Sequence, residues 1–429
     1  MAEGRCQRAR RDFKRTRLNP FFNLPGPAIS PLALPPQNLA IDLSDRKICI
    51  LESQMRSCEF VDAIRGSTIK LTDHVKTITA HSASELASAL AEVEILQKSG
   101  HWIALRLSYS LGEWFESKVP NSKISSGNNE EPRLKAYVFR QMSTEAATLD
   151  SRDENDGRIV KATPRTGYPC YKEKVEEIKS LIENGELYQV NFTVRMDVEV
   201  EGDTEALFRE ILAEHPVSHA AYIDDGQSVV LSFSPELFLE RRGGTLITRP
   251  MKGTAPRHTE READLQSAEA LKRSEKNLAE NAMIVDLLRN DMGKFARIGS
   301  VRVESLFDLE CYPSVWTLTS TIKAEVDNAS LFDILKSTFP CGSIVGAPKI
   351  AAMRCIEMLE DSDRGLYCGS VGWLSPNGDF SLNVAIRTLE LDRYGRGVYG
   401  VGGGIVFDSD AALEWDECQW KSRVLRWEK

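Results

Sequence analysis

The sequence predicts an α+β fold with large antiparallel β-sheets flanked by helices. Three observations carry this reading. Val229–Glu240 and Thr245–Thr248 flank Gly243-Gly244 in the manner of a β-hairpin. Tyr188–Val200 alternates, with Tyr188, Val190, Phe192, Val194, Met196 and Val198 on one side and Gln189, Asn191, Thr193 and Arg195 on the other; a strand with one buried and one polar, site-lining face has this pattern. Helical segments are interspersed with such strand pairs, with no internal repeat and no Rossmann or P-loop glycine pattern, so repeated βαβ units are set aside.

The chain has 429 residues, 42% hydrophobic and 27% charged, an ordinary globular composition. A formal net charge of −9 argues against a nucleic-acid or anionic-membrane surface. An anionic substrate would then need local positive charge. No run of about 18 apolar residues occurs, so no membrane-spanning helix is expected. The nine cysteines are odd in number and lack CxxC or zinc-finger spacing, which points to reduced thiols in a cytoplasmic compartment. None sits in the elbow-like turn of a cysteine-based glutaminase.

Taken in order, residues 1–38 read as a flexible tail. Residues 1–20 hold seven Lys/Arg and residues 20–36 hold six prolines. A targeting peptide is one reading of this tail; Glu3, Asp12 and the absence of serine before Ser30 argue against it. A first strand is expected at Lys47–Leu51, a helix at Ser82–Leu96 from the Ser84 cap region, and a strand at His101–Ser108. Pro120–Arg133 reads as a loop and 143–164 as a linker, which divides 39–150 from 165–427. Val175, Ile178, Leu181 and Ile182 form one helical face ended by Gly185. Glu260–Asp291 reads as one long helix, followed by helices at Ser330–Thr338 and Pro348–Glu360, with Pro348 in the first turn. Strands at 367–374, 380–391 and 397–407 precede a closing helix, Asp408–Trp427.

Several stretches carry chemistry. In Thr248–Arg257, Lys252 stands between Pro250, which restricts the backbone, and Gly253, which permits a turn or a close approach; from the residues alone it is open between a solvated loop lysine, the commoner case, and a lysine held on a shaped segment. Phe233-Ser-Pro-Glu236 sets a carboxylate before an apolar strand, open between a surface hairpin glutamate, the commoner case, and a partly buried one whose raised pKa would suit it as an acid. Glu414 and Glu417 share a helix face with Lys421. That triad is open between a solvated ion-pair ladder and, if Glu280 of the earlier helix converges on it, a Mg²⁺ site of hard oxygen ligands. Phe339–Lys349 is a glycine-interrupted turn feeding a helix start, suited to a carboxylate or phosphate. Tyr399–Ile405 is glycine-rich, through either a bulge or a close approach of the backbone to something.

Together these stretches resemble one family, the chorismate-utilising enzymes. In family order they are GELYQVN (185–191), SFSPELF (232–238), RPMKGTAPR (249–257), AENAMIVDLLRND (279–291), GSIVGAPK (342–349), AIRTLEL (385–391), GGGIV (402–406) and EWDECQWK (414–421). The likeness covers 168–427 as a chorismate-binding catalytic domain. Residues 39–150 resemble the family's N-terminal region, whose start is similar to Leu51–Ser53.

The resemblance implies the family's α+β fold and roles for particular residues. Relatives making anthranilate, isochorismate or salicylate usually carry alanine at the Lys252 position; those aminating chorismate at C4 carry lysine. Lys252 is thus implied as a covalent nucleophile at C2, with Glu236 as the acid releasing the 4-hydroxyl; an attacking amine must first lose its proton. Gln189 stands where water-using relatives have a lysine base, and Thr317 where anthranilate-forming relatives have a histidine. Substrate contacts are implied for Gln189, Thr254, Ser343, Tyr367, Arg387, Gly402, Gly404 and Lys421. Glu280 and Glu417 are implied as Mg²⁺ ligands, with Glu414 acting through the metal's water. Asn277 replaces an acidic residue usual one turn before Glu280, Val345 a threonine and Glu186 an aspartate. The implied activity is formation of 4-amino-4-deoxychorismate for p-aminobenzoate and folate, with ammonia from a separate glutamine amidotransferase subunit. The alternatives are anthranilate formation and a non-catalytic chorismate-binding homologue.

Overall fold

Alternating apolar and polar residues settle much of the chain into strands, and every registered strand pair is antiparallel. The computed structural model describes residues 55–116, 119, 131–147, 157–313, 315–327 and 329–425. The tail, the strand expected at Lys47–Leu51 and most of the loop expected at Pro120–Arg133 lie outside the described residues.

The elements begin with β1 (Ser57–Asp62), β2 (Ser67–Ala80), α1 (Ala83–Lys98), β3 (Trp102–Leu107), α2 (Gly112–Phe115), β4 (Leu134–Ala146) and β5 (Arg158–Pro164). There follow α3 (Tyr168–Glu183), β6 (Gln189–Glu201), α4 (Thr204–Glu214), β7 (His219–Asp224), β8 (Ser228–Ser234), β9 (Leu237–Arg242), β10 (Thr245–Arg249) and β11 (Met251–Pro256). Next come α5 (Arg261–Arg273), α6 (Glu275–Gly293), β12 (Arg302–Cys311), β13 (Val315–Glu325), α7 (Leu331–Thr338), β14 (Gly346–Ala347) and α8 (Lys349–Leu359). The chain closes with β15 (Ser370–Leu374), β16 (Phe380–Asn383), β17 (Thr388–Asp392), β18 (Arg396–Ile405) and α9 (Ala411–Ser422).

These strands make one 18-stranded sheet. Neighbour to neighbour, its ladder runs β5, β6, β18, β17, β8, β7, β1, β2, β4, β3, β15, β16, β9, β10, β13, β12. β14 joins β6, and β11 joins β13. β1–β4 thus stand in the ladder between β7 and β15, and Ser53–Lys429 form one compact unit. Among the described residues no helix is long and apolar enough to cross a membrane.

The sequential strands β8 and β9 lie far apart in the ladder, as do β16 and β17, whereas β8 pairs β17 and β9 pairs β16. The chain therefore crosses twice, side by side, at Pro235-Glu236 and at Val384–Arg387. The crossings bond to each other. Val384 N–H donates to Glu236 O at 3.0 Å, Phe233 N–H to Arg387 O at 3.0 Å, and the Ser234 hydroxyl to Val384 O at 2.6 Å.

Several boundaries differ from the sequence reading, each for a local reason. The helix expected over Glu260–Asp291 breaks at Ser274, whose hydroxyl accepts from Asn277 N–H and caps α6. The 380–391 strand is interrupted by the second crossing. Residues 143–164, read as a linker, supply the end of β4 and all of β5 among the described residues; their side chains are mostly exposed, which accounts for the polar sequence. Pro348 precedes α8 as its N-cap, and Ser82 rather than Ser84 precedes α1. Tyr188, placed on the buried face of its strand, is 67% exposed, while its polar neighbours Gln189, Asn191 and Thr193 are buried.

Phe208 of α4 stacks on Phe233 of β8, both 0% exposed, with centroids 5.3 Å apart and planes at 27°. This contact braces the strand that leads into the first crossing. Phe208→Ala is expected to lower stability by about 3–5 kcal/mol, read as a lower midpoint in urea unfolding.

Candidate active site

The crossings, β11, β18, α6 and α9 surround one cavity of about 260 Å³. β11 loses register against β13 between Met251 and Thr254, and Gly253 takes φ +88°. A β-carbon on Gly253 would stand 3.0 Å from Asn277 Cβ, so the lack of a side chain lets this bulge pack against α6. The bulge sets Lys252 on the cavity wall. Its ammonium has no hydrogen-bond or ion-pair partner among the described residues. The Thr317 hydroxyl holds the bulge from behind, donating to Gly253 O at 3.1 Å.

Glu236 lines the same cavity from the first crossing and is 4% exposed. Its Oε1 is buried without a partner. Burial raises its pKa, and the Ser343 hydroxyl, the Lys252 charge and the Met251 N–H pull it back only partly. A carboxyl so placed keeps its proton to a higher pH than an exposed one. Arg387, on the second crossing, takes φ +50°, unusual for a side chain of its size. Its guanidinium lines the cavity without an ion-pair partner among the described residues, and burial lowers its pKa against the influence of Tyr399 and Tyr312. An unpaired, partly desolvated guanidinium is a ready site for a carboxylate.

At the glycine strand, β18 runs beside β6. A β-carbon on Gly400 would come within 2.2 Å of the Tyr367 ring, and one on Gly404 within 2.2 Å of Gln189 Nε2. One on Gly403 would stand 3.1 Å from Glu414 Oε2 and 3.7 Å from Glu417 Oε1. The bare backbone here lets the α9 carboxylates face the cavity. Glu280 joins them from α6, its pKa raised by burial, against the Lys252 and Lys276 charges, with the Glu417 charge adding to the rise. Burial also raises Glu414, although the Ser409 hydroxyl donates to it at 2.7 Å. Burial pushes Glu417 up, but Lys421, 2.7 Å away, together with the Lys252 and Lys276 charges brings it below the usual range. Lys421 also donates to Gly402 O at 2.6 Å.

Lys252, Glu236, Thr254, Ser343, Tyr367, Arg387, Gly402, Gly404, Lys421, Glu280, Glu414 and Glu417 therefore share one wall system. Gln189 is the exception: it is 1% exposed, lies behind Gly404, and both its amide atoms lack partners. The cavity also takes in His215, Tyr312, Tyr399 and Lys276, which sequence reasoning passed over. Lys276 lies one helical turn before Glu280 and was open to detection; His215 and Tyr312 arrive from loops with no periodic signal. Among the described residues no three acidic, histidine or cysteine side chains group tightly enough to enclose a metal unaided. Mg²⁺ needs only one or two carboxylates beside its waters, and the mutual repulsion of Glu280 and Glu417 is what a dication between them would relieve.

A buried acid, an unpaired lysine, an anion-ready arginine and a carboxylate cluster around one cavity define an enzyme-like site for an anionic small molecule. Residues 49–426 match the family model described as chorismate binding enzyme, and the chain belongs to that family. It is similar to aminodeoxychorismate synthase component 1 of Klebsiella aerogenes, 42% identical over 248 residues, covering 58% of this chain and 55% of that protein. The protein of the same name from Bacillus subtilis is 34% identical over 299 residues, covering 68% and 63%. The chain thus spans between half and two thirds of the length of these relatives. The crystal structure of anthranilate synthase component I from Streptococcus pneumoniae shares the fold, with TM-score 0.73 at 24% identity over 89% of this chain and 95% of that one.

Gly400→Ala forces a methyl group into the Tyr367 ring and is expected to cost about 1–3 kcal/mol in urea unfolding. Gly293→Ala, with nothing within 4 Å of the added carbon, is the contrasting case and is expected to be neutral or stabilising by about 0.5–1 kcal/mol.

Proposed function

We propose that this chain aminates chorismate with ammonia to give 4-amino-4-deoxychorismate, with a glutamine amidotransferase subunit as the ammonia source. The observation that carries the reading is the pair Lys252 and Glu236: an unpartnered amine and a buried carboxyl of raised pKa on one cavity wall. The relatives named as aminodeoxychorismate synthase component 1 support it. The word "component" supports a second subunit, and a cytoplasmic setting agrees with free thiols at buried Cys58, Cys341, Cys355, Cys368 and Cys418.

In this mechanism neutral Lys252 attacks C2, the ring double bonds shift, and the C4–O bond breaks as Glu236 gives its proton to the departing water. Ammonia then forms the C4–N bond, the double bonds shift back, and the C2–N bond to Lys252 breaks. The surplus proton on the new ammonium returns to Glu236, so atoms and charge balance. Arg387 holds one carboxylate of the substrate, while Ser343, Thr254 and Tyr367 bound the ring. Glu280 and Glu417, with Glu414 beside them, would hold Mg²⁺, which would supply charge neutralisation for the second carboxylate. Thr317 spends its hydroxyl on Gly253 and presents no base, which favours retention of the enolpyruvyl group over anthranilate formation.

Incubation of purified chain with chorismate, Mg²⁺ and ammonium is expected to yield aminodeoxychorismate on chromatography. Anthranilate as the product would overturn the reading, and no turnover with an added amidotransferase would favour a non-catalytic binder. Lys252→Ala is expected to abolish amination, and Glu236→Gln to slow kcat by roughly 10²–10⁴-fold. Because the acid works protonated, kcat should fall as pH rises through the Glu236 pKa.

The metal assignment is checked separately. In calorimetry, Glu280→Gln is expected to weaken Mg²⁺ binding to the chain in the absence of substrate; unchanged binding would remove Glu280 from the ligand set.

A further inference from the structure

Ser409 is 2% exposed and stands in the turn between β18 and α9, behind the cavity wall rather than on it. A buried hydroxyl has one proton to give and needs an acceptor for it. The Ser409 oxygen accepts from Val406 N–H at 3.1 Å, and its proton goes to Glu414 Oε1 at 2.7 Å. The first bond fixes the hydroxyl on the turn; the second ties that fixed point to a carboxylate only 8% exposed. The turn is held in its own right. Ser409 N–H donates to Val406 O at 3.1 Å, and Lys179 of α3 donates to Ser409 O at 2.8 Å. Asp410 caps α9, accepting from Ala412 and Leu413 N–H at 2.9 and 3.0 Å. The turn and the first helical turn bearing Glu414 are thus braced together.

Glu414 therefore has one oxygen engaged behind the wall. Its Oε2 has no hydrogen-bond partner among the described residues, and it faces the glycine strand. A β-carbon built on Gly403 would stand 3.1 Å from Glu414 Oε2 and 3.7 Å from Glu417 Oε1. Two carboxylates of one helix face flank the same bare stretch of backbone, where a glycine leaves room between them. A carboxylate bonded to nothing would be free to rotate in that space. A hydrogen bond to one of its oxygens holds the group in a single plane, which is how the partners of metal ligands act.

We propose that Ser409 is a positioning residue for the carboxylate cluster: by engaging Oε1 it keeps Glu414 Oε2 turned to the cavity beside Glu417. The proposal rests on the reading of Glu280, Glu417 and Glu414 as a Mg²⁺ site. Pre-setting Glu414 in this way favours a cation whether the carboxylate meets it directly or through one of its waters.

The test is a calorimetric titration of Mg²⁺ into the full chain without substrate, at one pH and ionic strength. Ser409→Ala is expected to weaken binding by about 10-fold, the lower end of what losing the partner of a metal ligand costs. Glu414→Gln should weaken it at least as much, and adding Ser409→Ala to Glu414→Gln should weaken it no further. An affinity unmoved in Ser409→Ala, whatever happens to its thermal stability, would leave the serine a turn-former alone and overturn the proposal. A loss that persists when Ser409→Ala is added to Glu414→Gln would overturn it too, because the serine would then act by another route. If Ser409→Ala does not fold, Ser409→Cys, which exchanges the hydroxyl for a weak donor, takes its place under the same criteria. Failure of the metal reading looks different: a wild-type chain that takes up no Mg²⁺, or an unmoved affinity in Glu414→Gln, strikes that reading and the proposal with it. No turnover is read, so the outcome stands apart from chorismate amination.

Discussion

Two chain crossings, hydrogen-bonded to each other, set the geometry on which the site depends. β8 and β17 pair in one part of the ladder, β9 and β16 in another, and the chain passes between them at 235–236 and 384–387. Each crossing frees its residues from strand pairing and exposes backbone groups that need partners. They satisfy one another through Val384 N–H to Glu236 O and Phe233 N–H to Arg387 O. Glu236 and Arg387, the proposed acid and the unpaired guanidinium, are therefore carried on adjacent, mutually braced segments. A rigid sheet supplies that precision better than a free loop would.

The electrostatics follow from this frame. A chain of net charge −9 assembles Lys252, Lys276, Arg387 and Lys421 around one cavity, which answers the need for local positive charge. The four carboxylates in the same wall do not behave alike. Glu236, the least exposed of them, is pushed up by burial; Glu417, paired with Lys421, is pulled down. Pushing the pKa values of neighbouring carboxyls apart is how a single site can hold both a proton donor and anionic ligands. Arg387 lines the same cavity with no ion-pair partner among the described residues.

Much of this was legible in the chain, and the gaps have physical causes. Proline and glycine near Lys252 marked a shaped backbone, which the structure makes a bulge on β11, but only the family resemblance singled the lysine out. The spacing of Glu414, Glu417 and Lys421 placed them on one helix face, but only tertiary contact could bring Glu280 of α6 to the same cavity. The crossing at 384–387 was hidden because Val384, Ala385 and Ile386 continue the apolar run of the strands on either side. Nothing in residue type announces that Arg387 takes a positive φ. The polar ends of β4 and the exposed β5 read as a linker because strands open to solvent carry no apolar alternation. Gln189 was correctly placed on a polar strand face, yet that face is buried behind the glycine strand, and its amide approaches Gly404 rather than the cavity.

Asn277 illustrates how one position can serve backbone shape instead of charge. An acidic residue there would stand one turn from Glu280, among carboxylates that already repel one another. Asparagine has no such charge, and its side chain does two other things: Nδ2 donates to the Ser274 hydroxyl at 2.9 Å, and its Cβ abuts Gly253. Ser274 is the break between α5 and α6, and Gly253 is the bulge that presents Lys252. Asn277 is thus bonded to the start of the helix bearing Glu280 and packs against the turn bearing Lys252. A side chain at 253 would crowd Asn277 and strain a backbone held at φ +88°, so the glycine and the asparagine are matched. With asparagine here the cavity carries one carboxylate fewer, and the side chain packs at Gly253, next to Lys252.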